Sequence, residues 1–400
     1  MANWLVAVGA GRWQMSGIRA AQAERIRVLA IDGSKDAPGL AAADRSAVAD
    51  IADPEAVLKA TLESGIRPAG AISFISDAGM MAAAALRETF GLCGPDPDVS
   101  LHLTNKCRQR RAWTDAGLPC PQWRCVTEEA QANAAVAEIG GVVIFKPADA
   151  AGSRGVTVVE PGEAWQPALS AALAASRSCA AIVESFIAGV EYTIETFSHR
   201  GRASVLAVSE KKKVDGTRGT VANELATSAL PDSDVDQIGE LAVQALAVLG
   251  HRDGAGHTEI LRQPDGNLWL VEAAGRGGGF MVADGIVPKA SGYDLARACA
   301  MQAVGGEPPE PSRTRRRAFV LRFLPTRPGV VVAMSGFDRA AALGNVECAP
   351  LIAVGDRVGR AMIDSARLAY ILSWADDRQS ALALADRAVS CLHVEIAPCP

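Results

Sequence analysis

The stretch that decides the fold is HTEILRQPDGNLWLVEAAGR, residues 257–276. Its centre, Asp265-Gly266, is a strong two-residue hairpin signal, because both residue types tolerate positive φ. Setting that pair at the tip puts Pro264 opposite Asn267, and the same register puts Glu259 opposite Glu272. Two carboxylates facing each other across an antiparallel pair have Cβ atoms roughly 5 Å apart. Like charges at that spacing repel, so one carboxyl is expected to be raised in pKa in the absence of metal. The neighbours Ile260, Leu270 and Val271 are apolar, which argues against a freely solvated rim. A hard divalent cation such as Mg²⁺ takes one or two carboxylates and fills its shell with phosphate oxygens and water. A hairpin with two surface glutamates is the alternative these residues leave open.

Upstream, Phe145-Lys146-Pro147 ends an apolar strand and leads into the loop Ala148–Gly155, rich in Gly, Ala and Ser. A lysine ending such a strand needs an anion to offset its desolvation. Small residues in the loop leave backbone N–H groups open to phosphate oxygens. The P-loop spacing G-x-x-x-x-G-K-[ST] is absent, and a flexible surface loop is the bland reading. Farther on, AIVESFI at 181–187 is followed by Gly189 and by Glu191-Tyr-Thr-Ile-Glu195. Strand period puts Glu191 and Glu195 on one face, where Glu191 can reach ribose hydroxyls. An ordinary amphipathic strand pair also fits. The run Lys211-Lys212-Lys213 reads as a solvated loop, Asn223-Glu224 as near the site, and His257 as structural.

The first hundred residues alternate strands (4–8, 27–31, 70–73) with helices (15–23, 54–64, 80–90), a βαβαβ pattern that predicts a parallel sheet covered on both faces. Gly9-x-Gly11 with Asp32 suggests a dinucleotide fingerprint, but Gln14 stands where its third glycine belongs. A βα turn of a Rossmann-like domain is the reading we take. A basic helix is predicted over 105–117, the stretch 205–227 reads as irregular, a helix covers 235–249, and 305–317 looks like a linker.

The chain has 400 residues, 49% hydrophobic and 21% charged, enough for two to three domains with large cores. A net charge of −5 supplies no basic field for nucleic acid, and 5% aromatics offer little base-stacking surface. No apolar run reaches the length of a membrane span, and a cytoplasmic protein is expected. Nine cysteines at irregular spacing argue against a disulfide framework or zinc site and read mostly as small buried apolar residues.

In order, these pieces resemble the ATP-grasp superfamily. The matching residues are Asn105-Lys106, Gly117-Leu-Pro119, Ile144–Pro147 with the loop to Val156, Ile182–Glu191, Thr258-Glu259 and Leu270–Arg276. Residues 318–372 look like the C-terminal domain of biotin-carboxylase-like members. The resemblance covers the chain and is strongest to the bacilysin-type L-amino-acid ligases. It implies an α/β protein with an ATP-grasp fold: a Rossmann-like N-terminal domain (1–104), an ATP-grasp domain (105–310, with a lid about 105–183 and a large part about 184–310) and a strand-rich α+β C-terminal domain (311–400).

The resemblance also implies roles. Lys106 and Lys146 hold the α- and β-phosphates of ATP. Glu184 with the Phe186-Ile187 backbone lines the adenine slot, and Glu191 takes the ribose. Ser153 and nearby amides close over the β- and γ-phosphates, Glu259 and Glu272 hold Mg²⁺ (Mn²⁺ as substitute), and Arg276 clamps the substrate carboxylate and its acyl phosphate. Glu272-Ala-Ala274-Gly-Arg276 departs from the usual Glu-x-Asn-x-Arg, leaving a water or phosphate oxygen to complete the second metal. The expected reaction is ATP-dependent joining of a small carboxylate, such as an amino acid, to an amine, in a homodimer. Carboxylase-like acyl-phosphate chemistry on bicarbonate or formate is the alternative.

Overall fold

The computed structural model describes residues 3–214, 217–218, 220–312, 317–360 and 366–398. Cys399 and part of the 305–317 stretch therefore lie outside the described residues. The N-terminal sheet is parallel, in the order Arg45–Val48, Arg27–Asp32, Trp4–Val8, Pro68–Ile72. All five residues of Trp4–Val8 are buried, as a strand with helices on both faces requires. The first helices lie where apolar period and caps put them. Pro54–Glu63 starts on Asp53, whose carboxylate accepts the Glu55 and Ala56 N–H groups. Met80–Phe90 ends at Gly91, held at φ +64°. Arg45–Val48 is a strand the sequence pattern does not signal, because it is a mostly exposed edge without alternation. Asp32 does not face outward as a ribose acceptor would: its carboxylate takes the Ala10 N–H at 2.7 Å and ties the first βα turn.

A second sheet, the lid, is antiparallel: Trp123–Val126, Ala181–Ser185, Val143–Pro147, Thr157–Val159. It has its own core of Val126, Val143, Phe145, Leu169 and Val183. The third and largest is the central sheet of eight strands: Leu268–Ala274, Gly254–Arg262, Val190–His199, Arg202–Lys213, Ala222–Thr227, Ala318–Pro325, Arg367–Ala375, Val346–Pro350. It runs unbroken across residue 311, because Ala222–Thr227 pairs with Ala318–Pro325. A small sheet of Arg357–Val358, Gly329–Ser335 and His393–Ala397 completes the C-terminal region.

Two expectations fail here. The stretch 205–227 is not irregular; it contributes two strands, Arg202–Lys213 and Ala222–Thr227. Its lysine run hides the strand pattern, since Lys211 and Lys213 face a cavity while Lys212 between them is exposed. The cysteines are not mostly buried: only Cys299 is buried among the free ones, and Cys107 is bridged to Cys125. Spacing could not show that pair, because the helix and strand that carry it meet only in the fold.

Helix Lys106–Asp115 joins the sheets. Asn105 caps it by accepting the Arg108 N–H at 3.1 Å. Its Trp113 is fully buried against Ile238 and Leu246, and its indole N–H donates to the Ala245 carbonyl. Truncating a side chain of that kind to alanine costs about 3–5 kcal/mol. Gln109 exchanges two hydrogen bonds with the Ala273 backbone, fixing the helix to the Leu268–Ala274 strand.

Candidate active site

The hairpin places Glu259 directly opposite Glu272. It does so through two offsets that cancel. At the tip Gln263, not Pro264, faces Asn267, which shifts the register by one. A bulge then inserts Val271 between Glu272 and Leu270 and restores the pairing. Neighbouring registers extend this face of the sheet. Glu259 lies opposite Thr193, His257 opposite Glu195, and Glu191 opposite both Leu261 and Lys211. With period two, Glu191, Glu195, Lys211, Lys213, His257, Glu259 and Glu272 share one side.

The lid sheet faces that side, and a cavity of about 220 Å³ lies between them. Nine of the ten expected site residues line it: Lys106, Lys146, Ser153, Glu184, Phe186, Ile187, Glu191, Glu259 and Glu272. Lys211 and Lys213 line it too, against the expectation of a solvated loop. The sign that could have found them is alternation: Ser209, Lys211 and Lys213 are spaced two apart on a strand.

Every carboxylate here has a cation. Lys106 Nζ lies 3.0 Å from Glu272 and donates to the Ala150 carbonyl at 2.8 Å. Lys211 bridges Glu191, at 2.6 Å, and Glu259. Lys213 takes the other Glu191 oxygen at 2.8 Å. Burial would raise the Glu259 carboxyl, but Lys211 and His257 hold it well below the usual carboxylate range. Glu259 is therefore held ionised by its cations, against the expectation that repulsion raises it. Two ammonium groups separate the carboxylates electrostatically, a solution that becomes visible only once Lys211 is placed. Burial opposes the charge on Lys211, yet Glu191 and Glu259 raise its pKa.

Glu184 is fully buried, and its carboxylate is committed to Arg110 and to Lys146 at 2.7 Å. Burial would raise it; the two cations bring it down to about 2. It therefore aims Lys146 into the cavity, while the neighbouring Phe186 and Ile187 line the slot. Ser153, at φ +61°, donates to the Thr220 carbonyl at 2.7 Å, so the loop arches over the cavity toward the central sheet. Asp149 holds its base by accepting from Ser176, Arg177 and Ser178.

Arg276 stands apart from the cavity. Its guanidinium grips both oxygens of Asp77, at 2.8 and 2.6 Å, and donates to the Gly277 carbonyl at 3.0 Å. Asp77 comes from the loop after the last N-terminal strand, a partner that sequence reasoning missed because nothing near it signals chemistry. Burial opposes charge on both; each nevertheless holds the other ionised. Beside them His257 contacts Glu195, whose second oxygen accepts the Gly278 N–H at 3.0 Å. Burial would lower the His257 imidazole, but Glu195 pushes it up to about 9.

Glu259 and Glu272 fit a divalent cation. They are two oxygen donors at adjacent positions on one sheet face, opening on a cavity lined by lysines. Among the described residues no cluster of three or more His, Cys, Asp or Glu forms an all-protein metal cage.

Residues 139–284 match the ATP-grasp domain, and residues 322–397 match the L-amino acid ligase C-terminal domain 2. A D-alanine–D-alanine ligase from Verminephrobacter eiseniae is 33% identical over 177 residues, 42% of this chain and 53% of that protein. One from Acinetobacter baylyi is 30% identical over 205 residues, 49% of this chain and 64% of that protein. The chain thus spans between about half and two thirds of these relatives. The crystal structure of an L-amino acid ligase from Bacillus licheniformis superposes with a TM-score of 0.81 at 19% identity, covering 99% of both chains. That likeness carries the fold, including the region C-terminal to residue 311. Residues 139–284 are thus an ATP-grasp domain, and residues 322–397 an L-amino acid ligase C-terminal domain 2.

Proposed function

We propose that this protein is an ATP-dependent carboxylate–amine ligase that activates a small carboxylate, such as an amino acid, as an acyl phosphate and couples it to an amine. The observation that carries the reading is one cavity lined by Lys106, Lys146 and Lys211 together with the Glu259/Glu272 pair. Such a set of exchangeable ion pairs suits a polyanion arriving with a divalent cation. Lys106 and Lys146 turn from Glu272 and Glu184 toward the α- and β-phosphates, and Lys211 toward the γ-phosphate. Glu259 and Glu272 are thereby released to hold Mg²⁺, with Mn²⁺ as a substitute. When bound, the metal neutralises charge on the β- and γ-phosphate oxygens.

Phe186 and Ile187 hold the adenine, Glu191 the ribose, and the Ser153 loop covers the phosphates from water. The substrate carboxylate then attacks the γ-phosphorus in line. Arg276 holds that carboxylate through its planar fork and later supports the tetrahedral oxyanion when the amine attacks. Products are the amide, ADP and phosphate. A homodimer in the cytoplasm is part of this reading. Among the described residues, no helix is long and apolar enough to cross a membrane.

The test is phosphate release with ATP and Mg²⁺, screening amino acids singly and in pairs, with bicarbonate as a separate arm. Release that needs both a carboxylate and an amine supports ligation. Release driven by bicarbonate alone would replace it with carboxylase-type chemistry.

A further inference from the structure

Cys107 and Cys125 form a disulfide with Cα atoms 6.0 Å apart. The bond joins two bodies with separate cores. Cys107 lies in the first turn of helix Lys106–Asp115, whose Trp113 is packed into the core beneath the central sheet. Cys125 lies in Trp123–Val126, the edge strand of the lid sheet. Among the described residues, no residue of that helix enters the lid core.

Besides the bridge, the seam is held by polar contacts. The Lys106 N–H donates to the Ala148 carbonyl at 2.7 Å, Arg110 pairs with Glu184, and the Trp123 indole donates to Thr114 at 3.0 Å. Polar contacts can exchange with water as a seam opens; a covalent bond cannot. Three residues of this seam, Lys106, Arg110 and Glu184, also line the cavity, whose walls come from the lid on one side and the central sheet on the other. Cys125 is exposed and Cys107 half-buried, so a thiol in solution can reach the Cys125 sulfur.

We propose that Cys107–Cys125 is a thiol–disulfide exchange site that locks the lid to the central body when oxidised and frees it when reduced by a dithiol. A thiolate of the dithiol attacks Cys125 Sγ, giving a mixed disulfide and leaving Cys107 as thiolate. The second thiol of the reductant, deprotonated, displaces Cys125, and the two cysteine thiolates take up two protons. Two electrons pass to the protein and the reductant leaves as its disulfide. A disulfide oxidant reverses the sequence. The lock slows separation of the cavity walls, so nucleotide leaves the oxidised form more slowly; this last consequence rests on the ligase reading above.

The test uses the full chain, air-oxidised or treated with dithiothreitol. Peptide mapping after alkylation without reduction should find residues 107 and 125 linked. Amide hydrogen exchange across the seam, read on peptides covering 105–110 and 147–150, should be at least threefold faster in the reduced form. Cys107→Ser and Cys125→Ser should exchange at the reduced rate with or without reductant, while Cys179→Ser keeps the wild-type response. Fluorescent ADP should leave the reduced protein at least threefold faster. Both cysteines found free in the oxidised protein, or equal seam exchange in the two states, overturns the lock. Equal ADP release overturns its control of nucleotide exchange. Absence of ADP binding in both states, with seam exchange still responding, would sink the nucleotide reading and leave the lock standing.

Discussion

The nucleotide cavity and the Arg276 corner adjoin each other along the central sheet but are assembled by different means. In the cavity, cations and carboxylates come from residues 106 to 272, and most strands that bring them are consecutive neighbours in the sheet. Each lysine there sits on a carboxylate that a phosphate can replace. At the corner, Arg276 is gripped by Asp77, 199 positions away and just beyond the N-terminal sheet. An incoming carboxylate must share or replace Asp77 on a guanidinium that is already saturated on one edge. The difference teaches that the lysine–carboxylate cavity is prepared by pairing within the central sheet and the lid, and the Arg276 corner by docking of N-terminal residues.

The comparison breaks most sharply at the carboxylate pair. Glu259→Gln or Glu272→Gln should lower turnover by several kcal/mol, about a thousandfold, with the protein still folded. Phosphate-release kinetics beside circular dichroism would check this, and normal rates in both variants would dissolve the metal assignment. Next comes Arg276→Lys. An ammonium cannot supply the planar fork, so kcat should drop about a hundredfold while ATP affinity stays within about twofold. If ATP affinity fell instead, the two ends would not be separable. Asp77→Asn is the finer probe. It keeps shape but weakens the grip on Arg276, and should raise the KM for the carboxylate and reduce kcat about tenfold, leaving ATP affinity intact.

A pH experiment addresses the floor of the corner. Buried His251 lies under the Gly275 turn beside Leu103 and Met80, and burial lowers its imidazole to about 4. The folded state therefore binds fewer protons than the unfolded chain between about 6.5 and 4. Stability is intact above 6.5 and should fall as pH drops through that window, by at most about 3 kcal/mol. His251→Phe should flatten the acid side of the Tm profile. An unchanged profile would mean that other groups carry the acid sensitivity.

What the sequence reveals follows the same divide. Lys106, Lys146 and Glu272 are legible because each sits at the end or start of an element whose period is clear. Glu259/Glu272 is legible for a weaker reason: the assumed tip was off by one residue, and the bulge at Val271 corrected it. A bulge has no strong sequence sign, so a reading of the tip alone would have needed luck to pair them. Lys211 was misread because three consecutive lysines mimic a solvated loop; only the register against Glu191 shows where alternate residues point. Asp77 was invisible for a different reason. A lone aspartate in a short loop acquires meaning from what docks on it, and docking is a property of packed layers rather than of spacing. The Cys107–Cys125 bridge shares that opacity.

The eight-stranded sheet carries a practical consequence for dissecting this molecule. A chain cut at residue 311 would retain every residue that lines the nucleotide cavity, yet it would strip Ala318–Pro325 from the outer edge of Ala222–Thr227. That edge strand is largely buried in the intact protein and carries Leu225 and Ala226. Exposed, it would present unpaired backbone groups to any other copy, the situation that templates edge-to-edge aggregation. The C-terminal region therefore acts as a cap on the central sheet, and a fragment ending at residue 311 would need a charged or proline-bearing replacement edge to stay monodisperse.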